Sequence, residues 1–287
     1  MNSVDWEIDF YSRPVIEEDG KKRWELLLCA TPGNNGGEIF RWQTICPATS
    51  VNSAWLGKAL HEAIRAAEIS GHPMPRRLRC WRGSMRTMIQ RAAAQLDLEV
   101  VLSRRAYALR EWLAQREREV YPLEPGFIQS PLSSSGTATY PPSVPLPEAV
   151  RGDAWSWASL QVSALIEAVD WDFGFGSLVP VPPDLDRTAL VPGLRLFSRS
   201  RSLALAAWLG SLEPVSLVVE GIQLILEAGF DDRWLVTDLD PDKVEAAQHA
   251  LAASRTQAAG LQFIAVQSDA NAIELAGFWM LRDLPSS

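Results

Sequence analysis

Asp9 and Glu62 are the carboxylates whose placement matters first. Asp9 sits inside the alternating segment Trp6–Ser12, and Glu62 on a stretch with apolar residues at helical spacing. Two-metal phosphoryl transfer needs acids converging from a first strand, a first helix and a later strand. The later strand here ends Cys80-Trp81-Arg82-Gly83 and offers no carboxylate. An arginine in that place repels metal ions. The set is incomplete, so nuclease chemistry is not expected.

The arginines suggest a different chemistry. Residues 76–118 hold 11 Arg, no Lys and four acids. Guanidinium grips phosphate in bidentate fashion and stacks on bases and aromatic rings. Arg76, Arg77, Arg79, Arg82 and Arg86 surround a strand–helix junction, where free N–H groups favour anions. Arg104 and Arg105 leave the following strand just before Tyr107. These residues are expected to contact RNA. The competing reading is a solvated Arg-rich surface that pairs with the acidic second half of the chain. Arg116 and Arg118 alternate with Glu and read as a solvated helix face.

Other motifs fail on spacing. Trp234-Leu235-Val236-Thr237-Asp238-Leu239-Asp240-Pro241, with Phe263–Asp269 beyond it, is similar to the ribose-binding strand of S-adenosylmethionine-dependent methyltransferases. A Gly-rich turn belongs about 20 residues upstream of such an acid. The nearest, Asp172-Phe173-Gly174-Phe175-Gly176, lies more than 60 residues before Asp238. Capping and surface roles explain Asp238 and Asp240 better. No phosphate loop or nucleophile elbow is present. Cys29, Cys46 and Cys80 have no metal or disulfide spacing and are expected to be buried apolar residues of a reducing compartment. His61 and His72 flank one helix end without partners. No enzyme activity, catalytic residue, metal or cofactor is expected.

The elements that would position the arginines can be read in order. Trp6–Ser12 is a half-buried strand with Trp6, Ile8 and Phe10 on one face and Glu7, Asp9 and Tyr11 on the other. Turn residues Glu18-Asp19-Gly20 lead to a strand over Arg23–Ala30, and the Gly33–Gly37 turn to a strand over Glu38–Cys46. Ser53 caps a helix to about Ser70, stopped by Gly71. Strand Arg77–Arg82, helix Ser84–Leu96, strand Glu99–Ser103 and helix Ala106–Val120 follow. The order βββαβαβα is that of a ribonuclease-H-like α/β fold, without its complete carboxylate site.

Pro122–Pro147 carries seven Pro and is expected to hold no helix or ladder. The predicted organisation is a domain over 1–121, a Pro/Ser-rich linker over 122–149 and a mixed α/β domain over 150–287. In the last, Trp155–Leu165 is a candidate strand, Leu194–Ser198 a strand and Arg201–Leu212 a helix. Strands Val215–Glu220, Ile222–Glu227 and Arg233–Leu239 follow. Pro241–Ala258 is a helix capped by Asp240, and strands Leu261–Ser268 and Ile273–Leu281 end the chain. Strand–helix–strand units beginning at Leu78 and at Leu194 show a faint mutual echo.

Length and composition frame this. The 287 residues are 47% apolar and 22% charged, with 12 Trp, which excludes extensive disorder. No apolar run approaches the roughly 18 residues of a membrane span. The net charge of −8 argues against nucleic acid until it is divided. Residues 1–122 hold 18 basic and 15 acidic side chains, and residues 123–287 hold 9 and 20. The first part is therefore +3 and the second −11.

The run Trp6-Glu7-Ile8-Asp9-Phe10-Tyr11-Ser12-Arg13-Pro14, followed by Trp24-Glu25-Leu26-Leu27, is distinctive. Together with Phe263-Ile264-Ala265-Val266-Gln267-Ser268 and Gly277-Phe278-Trp279-Met280-Leu281, it resembles the Tab/ATAB family, RNA-binding proteins of oxygenic phototrophs. The resemblance implies a non-catalytic protein that binds mRNA of photosystem subunits and promotes their translation. The family's aromatic-plus-leucines motif stands here as Trp279-Met280-Leu281. Chloroplast members carry a transit peptide, and this chain begins almost at the motif. A cyanobacterial, cytoplasmic version is thus expected. Asp9, Tyr11 and Arg13 alternate onto one strand face, which either contacts RNA through Arg13 or pairs Asp9 with Arg13 internally. Trp279 is expected in the core. The alternative role is a protein–protein assembly factor acting through the acidic C-terminal domain.

Overall fold

A computed structural model of the chain describes residues 4–32, 39–129, 141–168, 179 and 181–284. The chain divides into two compact units, Met1–Ala138 and Thr139–Ser286.

The first unit runs β1 (Val4–Ile16), β2 (Lys22–Ala30), β3 (Arg41–Cys46), α1 (Ser53–Ile69), β4 (Pro75–Cys80), α2 (Arg86–Ala93), β5 (Glu99–Leu102) and α3 (Tyr107–Glu119). This is the expected βββαβαβα order. One sheet results, ordered β3-β2-β1-β4-β5. The first three strands are antiparallel, and β4 and β5 join parallel to β1. Gly20, at φ 78°, closes the β1–β2 turn, where Asp19 accepts from the Lys21 N–H. The helix α1 is capped one residue earlier than expected. The Asn52 side chain accepts from the Trp55 N–H, while Ser53 is already helical. The turn over 33–37 lies outside the described residues.

Alternation along β1 sends Trp6, Ile8 and Phe10 into a core with Leu26, Leu28, Leu56, Leu60 and Ile89, under α1 and α2. The other face is not left to solvent. Helix α3 lays Leu109, Trp112 and Leu113 over Leu27, Cys29 and Val15. The strand expected to be half-buried is thus buried on both sides, and Glu7 and Asp9 are 0% and 1% exposed.

Both ends of the proline-rich stretch make the ladder contacts that its composition argued against. The Ile16 N–H donates to Gly126 and the Ile128 N–H to Pro14, at 2.8 and 2.9 Å. Gly126 has φ 80°, and a Cβ there would lie 2.1 Å from the Ile16 oxygen, so the proline-rich strip needs a glycine where it docks. Further on, β6 (Val144–Pro145) runs parallel to β11 (Asp232–Asp238) at a sheet edge, where proline's missing N–H costs nothing.

The second unit continues with β7 (Ala154–Gln161), α4 (Val162–Glu167), β8 (Leu190–Phe197), α5 (Ser202–Leu212), β9 (Pro214–Glu220), β10 (Gln223–Ala228), α6 (Pro241–Gln257), β12 (Leu261–Gln267) and β13 (Gly277–Arg282). Two four-stranded sheets form, β6-β11-β10-β9 and β13-β12-β8-β7. Leu194, Leu217, Leu226, Leu251, Ile264 and Leu281 belong to one core. Gln262 of β12, fully buried, offers its side-chain oxygen to the Leu217 N–H at 2.6 Å and its NH2 to the Leu217 carbonyl at 3.2 Å. All described sheets are mixed.

Several boundaries differ from expectation. The segment 155–165 splits into β7 and the short α4. The last strand begins at Gly277, leaving Ile273 97% exposed. Asp240 occupies the N-cap position of α6, but its carboxylate pairs with Lys243 at 2.5 Å and caps no N–H. The echo of Leu78 and Leu194 has no structural counterpart. β4 and β5 are parallel neighbours, whereas β8 and β9 lie in different sheets. β11 and β12 are likewise in different sheets, which removes the methyltransferase reading.

Candidate nucleic-acid interface

The parallel strands β4 and β5 end together beside the middle of β1, which runs on to Ile16, because Ile8 pairs with Cys80 and Cys80 with Leu102. The carboxyl edge of parallel strands is where open α/β sheets place their ligand sites. Asp9 and Tyr11 continue β1 past this point, Trp81 and Arg82 come directly after β4, and Ser103 to Arg105 directly after β5.

Arg82 organises this edge. Its Nε donates to Asp9 at 2.7 Å. Its guanidinium lies 4.3 Å from the Tyr11 ring centre and 4.1 Å from that of Trp81. Arg110 of α3 stands 5.7 Å from the same Trp81 ring. The result is a row of alternating cationic planes and aromatic rings, each contact worth about 0.5–2 kcal/mol. Tyr11, Trp81, Arg82 and Arg110 are all half-buried, Arg104 is half-buried on the neighbouring loop, and Arg86 is exposed at the start of α2.

Behind this edge lies a buried ionic network. Arg13 donates to Asp9 at 2.8 Å and to Glu25 at 3.1 Å. Arg116 of α3 reaches Glu25 at 2.6 Å, and the Tyr121 hydroxyl donates to Glu25 at 2.5 Å. Burial works against the Arg13 charge, and Asp9 and Glu25 more than reverse it, so its pKa is raised. Burial pushes the Tyr121 phenol up as well. Nearer the start of β1, Arg79 donates to Asp5 at 2.7 Å, and it also donates to Ser103 at 3.0 Å.

The structure therefore sorts the arginines that the sequence grouped. Arg82, Arg86 and Arg104 stand at the carboxyl edge. Arg76 and Arg77 stand at the opposite edge, where Val4 pairs with Pro75, and Arg77 is tied to Glu99 at 3.0 Å. Arg13, Arg79, Arg105 and Tyr107 are 3%, 3%, 7% and 1% exposed. Arg79, Arg105 and Tyr107 are thus not part of the surface patch expected of them, and Arg13, for which an internal pair was the alternative, is interior too. They are interior because α3 closes over the polar face of β1, whose carboxylates Arg13 and Arg79 neutralise. Arg116, expected on a solvated helix face, is buried for the same reason, at 8%. Of the two readings of Asp9 and Arg13, the structure makes the internal pair.

The acids cannot assemble as a metal site. Asp9 is occupied by two guanidinium groups, and Glu62 is exposed on α1, which packs on the opposite face of the sheet. Among the described residues no group of three His, Cys, Asp or Glu side chains is placed to hold a metal. All three cysteines are buried and reduced. Burial raises the Cys46 and Cys80 thiols to about 11 and Cys29 well above the usual range, which leaves them poor nucleophiles.

Two family models match the chain. "RNA-binding protein Tab2/Atab2 N terminal" covers residues 5–116, and "RNA-binding protein Tab2/Atab2, C-terminal domain" covers 133–282. The chain belongs to the Tab2/Atab2 family. Protein TAB2 homolog, chloroplastic, of Zea mays is 34% identical over 98% of this chain and 72% of its own length. The protein of the same name in Arabidopsis thaliana is 32% identical over 98% of this chain and 75% of its own length.

The residues that carried the Tab2/Atab2 resemblance have structural tasks. Phe10 lies between Trp24 and Trp55, ring centres 5.5 Å from each. Ser12 pairs with Trp24, and the Pro14 carbonyl accepts from Ile128. Phe278 stacks on Phe263 at 5.4 Å, and Leu281 is core. Trp279 is half-buried, and its ring lies where a Cβ on Gly277 would come within 2.3 Å. That contact accounts for the glycine.

The sequence reading missed Glu25, Trp81, Arg110 and Tyr121. A signal existed for Glu25, a lone carboxylate in an apolar strand beside the Asp9–Arg13 face. Trp81 and Arg110 carried none, since their meeting depends on how α3 crosses the sheet. Among the described residues no helix is long and apolar enough to cross a membrane.

Proposed function

We propose that the first unit binds single-stranded RNA along the carboxyl edge of β4 and β5, beside β1. The observation that carries this reading is the row Tyr11–Arg82–Trp81–Arg110, with Arg86 and Arg104 beside it. Stacked rings and guanidinium planes take unpaired bases at about 1–3 kcal/mol per base, and arginines take the phosphates. The strand order β3-β2-β1-β4-β5 supports reading this unit as ribonuclease-H-like, with the carboxylate of Asp9 turned from metal binding to anchoring Arg82. On that reading the protein is a non-catalytic RNA binder. Its membership of an RNA-binding family supports RNA as the ligand; on our reading the RNA is mRNA of photosystem subunits, the process is translation and the place is the cytoplasm.

Arg82→Lys tests the site. It keeps a charge against Asp9 and loses the planar stack. Affinity of the full chain for a single-stranded oligoribonucleotide should fall about tenfold, with Arg86→Glu adding to the loss. Arg76→Ala and Arg77→Ala should stay within about twofold. Equal losses at all four positions would overturn the edge as the site.

A further inference from the structure

The second unit contains a cleft of 640 Å³ between β7 and the start of α6. Trp155 and Trp157, two residues apart on β7, share one face of the strand and line it. Asp238, Asp240 and Asp242 line it from the end of β11 and the start of α6, and all three are exposed. The remaining charge is Lys243, whose ammonium already sits on Asp240 at 2.5 Å. The cleft thus presents indole rings and a net charge of −2, within a chain segment (123–287) that is −11.

Rings and carboxylates together select cations. The negative face of an indole attracts ammonium and guanidinium groups, and neighbouring carboxylates add to that attraction. RNA is disfavoured, because its phosphates would meet three carboxylates and a lysine already paired. The volume is in the range that takes a drug-sized ligand, large enough for a short peptide run. We propose that this cleft binds a lysine- or arginine-bearing segment of a protein partner. Lys243 then acts as a built-in stand-in, holding the place of the incoming cation on Asp240. The proposal stands on the second unit alone and is independent of the RNA reading.

The test is calorimetric titration of the full chain, at low salt, with a peptide of alternating arginine and glycine. The same peptide with citrulline, an uncharged isostere of arginine, is the control. The arginine peptide should bind, and the citrulline peptide should bind at least tenfold more weakly. Asp238→Asn with Asp242→Asn, both at exposed positions, should weaken the arginine peptide about tenfold. Lys243→Gln should tighten it severalfold, whereas Lys58→Gln, the same charge change on α1 of the first unit, should leave it unchanged. Arg82→Lys should lower RNA affinity and not touch peptide binding. The proposal is overturned by no peptide binding, by equal binding of the citrulline peptide, by indifference to the aspartate changes, or by RNA displacing the peptide in the Arg82→Lys variant.

Discussion

Glu7 is fully buried on β1, with one carboxylate oxygen accepting from the Leu109 N–H at 2.7 Å and the other without a partner. Burial raises its pKa to about 8, against the pull of the Leu109 N–H and the Arg79 charge. The folded chain therefore keeps a proton that the unfolded chain has released above about pH 4.5. Stability falls as pH rises wherever the folded state binds more protons, so Glu7 costs stability progressively from about pH 4.5 to 8. Glu7→Gln keeps an acceptor and removes the titration. Urea midpoints at pH 5 and pH 8 should differ less in the variant, and its advantage over the parent should grow with pH. Parallel pH profiles for the two proteins would show that Glu7 does not titrate in this window.

At the scale of elements, α3 is held to the sheet by charge as well as by Leu109, Trp112 and Leu113. Glu25 of β2 receives Arg13, Arg116 and Tyr121, all buried. Removing one partner of such a group strands the others, at a cost of about 3–5 kcal/mol. Glu25→Ala should lose about that much in denaturant unfolding, while Glu18→Gln in the exposed β1–β2 turn should change stability by less than about 0.5 kcal/mol. The alternation of β1 and the turn and cap residues were readable because each is a local preference. What the sequence concealed was that α3 lands on the polar face. From residues alone, a carboxylate that faces solvent and one that faces a helix give the same pattern of alternation. That ambiguity is why Arg79 and Arg116 read as surface charges, and Arg13 either way, although all three are counter-ions in the interior.

For the whole molecule, the split into +3 and −11 survives, but much of the arginine excess is already spent inside the first unit. The number of guanidinium groups that contact phosphate sets the salt dependence of RNA binding, at about −0.7 in log–log slope per contact for single strands. On the proposed reading, contacts from Arg82, Arg86 and Arg104 give a slope of about −2. All eight arginines that the sequence singled out would give about −6. Fluorescence titrations of the full chain from low to high salt separate the two. Within the second unit, Gln262 bears on how the sheets hold together. β9 stands last in the strand order of its sheet, and its half Pro214–Leu217 is buried, so outward-pointing backbone groups there must find partners inside the unit. By occupying both the N–H and the carbonyl of Leu217, the Gln262 amide acts as a one-residue mock strand. It is a rivet between the two sheets, made from the side chain of a residue whose own backbone belongs to the other one.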